Sequence, residues 1–169
     1  GAMWLDLLVY LPVIALSLYF GDKFRLFNLY WLAPGILIGI WFNIYLVFRY
    51  GGTPGKLLMG IRIAMVNGSN VTLKAAIIRH IVLLVLTILS SIALVLATLK
   101  MSDSQYAGLG FVKRSEVMVA LAPRWYGITS MLSNVWFWSE FLTMLFNKRR
   151  RAIHDFMAGT VVIKTVKST

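Results

Sequence analysis

The chain has 169 residues, 59% of them hydrophobic and 14% charged, with a mean hydropathy of +0.78. That leaves too little polar surface for a water-soluble domain of this size and directs the chain to a bilayer. The net charge of +11 reads, in so apolar a chain, as basic loops drawn to anionic lipid headgroups and not as a nucleic-acid surface. With no cysteine, disulfides and thiolate chemistry are excluded, and two histidines leave few other ligands, so no metal and no cofactor is expected.

Residues 4–20 are almost wholly apolar after Asp6, and as a helix they reach about 26 Å, enough to cross the hydrocarbon layer. Gly1-Ala2-Met3 reads as a cloning remnant, with native residues expected ahead of Trp4. Pro12 lies inside this span, where neighbouring helices can take up the freed carbonyl. Further spans are expected over residues 29–48, 77–99 and 128–146, the last interrupted by Ser130, Ser133, Asn134 and Glu140. Between the last two, residues 102–121 mix apolar and charged positions and predict one or two short helices on the outer membrane surface, closed by Ala122-Pro123. These serve either as a lid or as a plain connector. The expected fold is all-α, a single domain over residues 1–169. It is a four-helix transmembrane bundle with interfacial helices in the outer loop, a small cytoplasmic sheet and a tail over residues 147–169.

Four spans place both termini and the loop between the second and third spans on one side. That side carries Arg49, Lys56, Arg62, Lys74, Lys148, Arg149, Arg150, Arg151, Lys164 and Lys167; the other carries Lys23, Arg25, Lys100, Lys113, Arg114 and Arg124. Ten basic residues against six predict that the first side is cytoplasmic. Within it, Lys148, Arg149, Arg150 and Arg151 form a patch read as a topology anchor or a site for anionic lipid headgroups.

Each span carries a face unsuited to lipid. Asp6, Tyr10, Val13 and Ser17 align on the first helix, His80, Thr87, Ser91 and Thr98 on the third, and Ser133, Glu140, Thr143 and Asn147 on the fourth. The second offers Gly35, Gly39 and Asn43, a small-residue ridge that would let another helix approach closely, within the bundle or from another subunit. Either the polar faces meet in a partly hydrophilic centre, or Ser and Thr bond their own backbone. Glu140 is the sharpest residue, because an ionised acid in hydrocarbon costs about 2.5 to 3.5 kcal/mol on insertion scales. Arg79 and His80 stand at a compatible depth, and Asp6 is a second acid at that level. The acids form either an ion or proton site or fixed salt bridges that orient helices.

The loop after the second span reads Gly51-Gly52-Thr53-Pro54-Gly55-Lys56 and runs on to Gly60. Thr53 is placed to cap a short helix with Pro54 at its first position, and Gly60 to end it. A phosphate-binding loop is rejected, since Gly51 is one residue too close to Gly55 and Leu57 stands where Ser or Thr is required. Ile61 to Val66 reads as a strand entering the Asn67-Gly68 turn, and Thr160 to Lys164 as a matching strand, which would tie the tail to the middle loop.

With these residues the chain resembles the RDD family of bacterial membrane proteins. The likeness rests on Gly52-Thr53-Pro54-Gly55-Lys56, on Gly60-Ile61-Arg62-Ile63, on Arg79, and on the run from His154 to Val162. The resemblance implies that Asp6 is the family's first aspartate and Asp155 an acidic position of the closing motif. It also implies an arginine ahead of Asp6, where this sequence has Gly1, Ala2 and Met3. It further implies residence in the bacterial inner membrane and transport of small ligands, cation-proton exchange among the suggestions for the family. A transporter of four spans would work as a homo-oligomer. On this reading Asp6, Tyr10, Glu140, Arg79 and His80 hold an ion, proton or small ligand, while Asp155 and Lys56 order the cytoplasmic mouth. The competing reading is a scaffold or accessory subunit that binds lipid or a partner protein. His154-Asp155 has no hydroxyl nucleophile at motif spacing, so no enzymatic activity is expected.

Overall fold

In a computed structural model, which describes residues 1–147 and 151–165, the chain is mostly helical with one small sheet. Helix α1 spans Ala2–Lys23 and α2 spans Phe27–Ile40; a π-helical turn, Trp41–Tyr45, joins α2 to α3, Leu46–Tyr50, in one continuous run. A short α4, Pro54–Leu58, leads to strand β1, Ile61–Met65, and then to α5, Leu73–Leu99. Two short helices, α6 (Asp103–Gly108) and α7 (Phe111–Leu121), precede α8, Trp125–Phe146. The chain closes with α9, Ile153–Ala158, and β2, Thr160–Lys164.

Among the described residues, three helices are long and apolar enough to cross a membrane: α1, the run Phe27–Tyr50, and α5. Each extends beyond the expected span by at most four residues at either end. Helix α8 is as long as α1, at 22 residues, but its Ser, Asn and Glu positions lower its hydropathy. α1 buries no residue against the rest of the chain. Its exposed Leu8, Leu11, Leu16 and Leu18 are what a lipid-facing helix presents, because alkyl side chains gain nothing by leaving hydrocarbon. α5 is the hub, packed against α2, the π turn, α7, α8 and α9.

Two buried clusters hold the ends. At the sheet end Ile44, Val47, Ile63, Val71, Ala75, Ala76 and Ala158 pack together. At the opposite end Ala97, Met101, Tyr106 and Met118 do so. There α6 and α7 are tied down by charge as well as by packing. The Tyr106 hydroxyl donates to Gly21 O, and Arg114 donates to the Asp22 carboxylate at 3.1 Å and to Leu109 O at 2.8 Å while its guanidinium lies 4.3 Å over the Tyr106 ring. Arg25 pairs with Asp103 at 2.5 Å and donates to Thr98 O in the last turn of α5 and to Met101 O just beyond it.

The strands pair antiparallel, with Ile61 opposite Lys164 and Met65 opposite Thr160. The tail is therefore joined to the middle loop as the two sequence patterns predict. Gly159, at φ +64, makes the reversal from α9 into β2 in a conformation that costs a side-chain-bearing residue dearly.

One expectation is corrected, and two readings that the sequence left open are narrowed. Thr53 occupies the N-cap of α4 but its hydroxyl does not cap; it donates to another helix. The Gly35-Gly39 ridge receives no helix from within the chain: a Cβ at Gly39 would meet nothing within 4 Å, and one at Gly35 only Trp31 of its own helix. Asn43 instead donates to Gly39 O at 3.1 Å inside the π turn, a one-residue widening that sequence periodicity does not reveal. Finally, several stripe residues turn to their own helix: Ser17 to Val13 O, Thr98 to Leu94 O, Ser133 to Thr129 O and Thr143 to Ser139 O. The backbone is their nearest acceptor where water is absent.

Candidate ionisable site

Charged groups from five elements gather at the sheet end in two adjoining knots. The first centres on Asp6, one turn into α1. Its Oδ2 accepts the Thr53 hydroxyl at 2.7 Å and its Oδ1 accepts the Gly55 amide at 2.7 Å, with Lys56 Nζ at 4.0 Å. The carboxylate thus takes the place of the missing side-chain cap on α4, from a different helix, and satisfies an amide that intrahelical bonding leaves open. Gly55 is required for this approach, because a Cβ there would lie 2.7 Å from Asp6 N and 2.8 Å from Asp6 Oδ1. Tyr10, one turn further on, packs its ring 4.4 Å from Phe42 of the π turn.

The second knot centres on Arg79 of α5, which ion-pairs with Asp155 and donates to Thr160 Oγ1 at 2.7 Å. Its other terminal nitrogen meets His154 Nε2 at 2.8 Å. Asp155 is only 1% exposed; its Oδ1 also accepts the Thr160 hydroxyl at 2.8 Å, and its Oδ2 accepts Ala152 N at 3.1 Å, closing the first turn of α9. Burial by itself pushes the Asp155 carboxyl up. The Arg79 guanidinium, together with the bonds from Thr160 and Ala152, outweighs burial and holds it below the ordinary value of 3.8.

Glu140 finds its partner in the tail and not on α5. His154 N donates to Glu140 Oε1 at 3.1 Å, and His154 Nδ1 lies 2.5 Å from Oε2. The second contact is short but off-axis for a ring N–H donor, which leaves Oε2 without an aligned hydrogen bond. His80, the residue after Arg79, stands within electrostatic reach of His154. Lys56 connects the knots. Burial and repulsion from Arg79 lower its ammonium from the ordinary 10.5, against the pull of Asp6 and Asp155.

The arrangement separates the expected residues into groups. Asp6 joins Thr53, Pro54, Gly55 and Lys56; Arg79 joins Asp155; Glu140 stands one residue away through His154. Arg62 belongs to neither knot and is exposed on β1. Lys148, Arg149 and Arg150 lie outside the described residues. Arg151, expected in a lipid-facing patch with them, folds back: its Nε donates to Thr160 O and its Nη2 to Asp155 O, both at 2.9 Å, and its guanidinium lies over the Phe156 ring. A planar fork matches two backbone acceptors better than it matches open solvent. His154 and Thr160 carry central contacts that the sequence reading left unassigned. Their signal is the packing of His, Asp and Thr into seven residues around Gly159, which forces all three side chains to one point.

Compared with known protein families, residues 1–159 match the RDD family. No curated protein and no solved structure was found to match.

Proposed function

The chain belongs to the RDD family of membrane proteins, and from that premise we propose that it is a transport-related inner-membrane protein whose two knots form a proton- or cation-handling site. In this reading α8 is the fourth span, α6 and α7 rest in the outer interface, and the sheet end is cytoplasmic with both termini. The chain works as a homo-oligomer and catalyses no covalent chemistry.

The observation that carries the reading is the bridge Arg79–His154–Glu140. A guanidinium has no lone pair to offer, so His154 Nε2 must accept from it. The ring is then neutral, and its proton sits on Nδ1, facing Glu140 Oε2 at 2.5 Å. Proton exchange at this pair therefore falls on the Glu140 carboxyl, which the His154 Nδ1–H holds in place without giving up its own proton, a neutral imidazole being too weak an acid to protonate a carboxylate. Glu140 keeps 12% of its side chain accessible, although the Oε2 that faces His154 is buried. Buried acid–base pairs on membrane helices are where proton-coupled carriers keep their exchangeable protons.

A second reading has its own observation. Both Asp155 oxygens are occupied and the group is almost inaccessible, which suits a fixed staple between tail and α5 in a scaffold or accessory subunit. The two readings are separated by reconstituting the chain in vesicles and following proton and cation flux in the parent, Asp6→Asn and Glu140→Gln. Flux lost in either folded variant supports transport. Absence of flux in every form supports the scaffold.

A further inference from the structure

The end of α3 and the middle of β1 meet at a single point. Ile63 N donates to Gly51 O at 2.6 Å, and Gly51 takes φ +76 to turn the chain there. The contact is close, since a Cβ on Gly51 would lie 3.2 Å from Ile63 O and 3.6 Å from Arg62 Cβ. It brings Arg49, two residues before Gly51, and Arg62, one residue before Ile63, to the same cavity of about 420 Å³. Phe48, Ile63 and Val71 supply its apolar wall, and Tyr50 and Asn70 add polar groups.

Among the described residues, neither the Arg49 nor the Arg62 side chain has an ion-pair or hydrogen-bond partner. Arg25, Arg79 and Arg114 each hold a carboxylate. Both side chains are exposed, so water screens part of their mutual repulsion, yet they leave two sets of charged donors open on one partly apolar cavity. An anion with several oxygens removes that repulsion and fills both planar forks.

We infer that this cavity binds the phosphate group of an anionic phospholipid from the leaflet at the sheet end. A lipid is favoured over a soluble anion by position. The cavity lies at the end of the 24-residue apolar run Phe27–Tyr50, beside the exposed rings of Phe48 and Tyr50, where a glycerol backbone and acyl chain have a surface to lie along. The inference is independent of proton handling, because neither arginine belongs to the two knots.

Native mass spectrometry of the full chain with phosphatidylglycerol and phosphatidylcholine of identical acyl chains tests it, with inorganic phosphate as competitor. The parent is expected to retain phosphatidylglycerol preferentially. The preference should fall by about tenfold or more in the double variant Arg49→Gln/Arg62→Gln, the loss of charge-assisted bonds of this kind. It should be unchanged in Lys113→Gln, which alters an exposed charge on α7 at the opposite end. Should the double variant not fold, each single substitution is expected to lose a several-fold share. Equal retention of the two lipids by the parent, or an unaltered preference in the folded arginine variants, overturns the inference. So does full displacement of the lipid by inorganic phosphate, which would mark a site for soluble anions.

Discussion

Asp6 caps a helix to which it does not belong: its Oδ1 accepts the amide of Gly55, 49 residues later, at 2.7 Å. The bond makes the position of α1 depend on the loop after the second span, and the missing side chain of Gly55 is what allows the two backbones to come that near. Gly55→Ala is therefore expected to push α1 off α4 and to destabilise the protein by about 1 to 3 kcal/mol, the usual cost of overpacking. Asp6→Asn should cost less. The double variant should lose less than the sum of the two, since both remove the same contact. Thermal or denaturant midpoints in detergent measure all three, and strict additivity would disconnect the residues.

The tautomer of His154 is a spectroscopic matter. With Arg79 donating to Nε2, a nitrogen-15 spectrum of histidine-labelled protein near neutral pH is expected to show a neutral His154 ring protonated on Nδ1. Glu140→Gln should alter the Nδ1 signal and leave Nε2 nearly unmoved. A ring protonated on Nε2 would remove the bridge on which the proposed function rests.

Removing one partner of the Arg79–Asp155 pair strands the other, and both side chains are at least nine-tenths buried. Asp155→Asn or Asp155→Ala is expected to cost about 3 to 5 kcal/mol, as breaking a buried pair commonly does. The pH dependence has a definite sign. The Asp155 carboxyl is held below its ordinary 3.8, so its contribution is complete above that value and disappears as pH falls through the lower folded value. An unfolding series from neutral pH into acid should show the parent losing this stability, while the Asn variant lacks that component of the slope.

Lys56 behaves in the opposite sense. Its ammonium is lowered from 10.5 by burial and by Arg79, so the charged form is disfavoured in the folded chain. Stability should rise with pH between the depressed value and 10.5, and Lys56→Met should flatten that rise. In competition labelling with an amine reagent, read by mass spectrometry, half-modification of Lys56 should fall below the ordinary 10.5 of a lysine side chain. A midpoint at or above that value would contradict the assignment.

Much of this architecture is legible in the chain itself. Long apolar runs with one polar face must become membrane helices, because lipid offers backbone groups no partner, so α1, the run to Tyr50 and α5 are fixed by hydropathy. Strand β1 follows from an apolar run between Gly60 and Gly68, β2 from the β-branched run after Gly159, and the short helix α4 from Pro54 ahead of Lys56 and before Gly60. Distance from the span ends also places Asp6, Arg79 and Glu140 near one level.

Only the folded structure decides who pairs with whom. Depth along a helix is a one-dimensional quantity, whereas an ion pair depends on which helices are neighbours and on side-chain reach. The tail returns through β2 to deliver His154, Asp155 and Thr160 to Arg79, so Glu140 meets His154 and not α5. The π turn and the closed hand of Arg151 are likewise tertiary outcomes, set by packing around Phe42 and by two carbonyls that no local pattern announces. Hydropathy is a property of segments and survives any arrangement of them; charge pairing is a property of the arrangement.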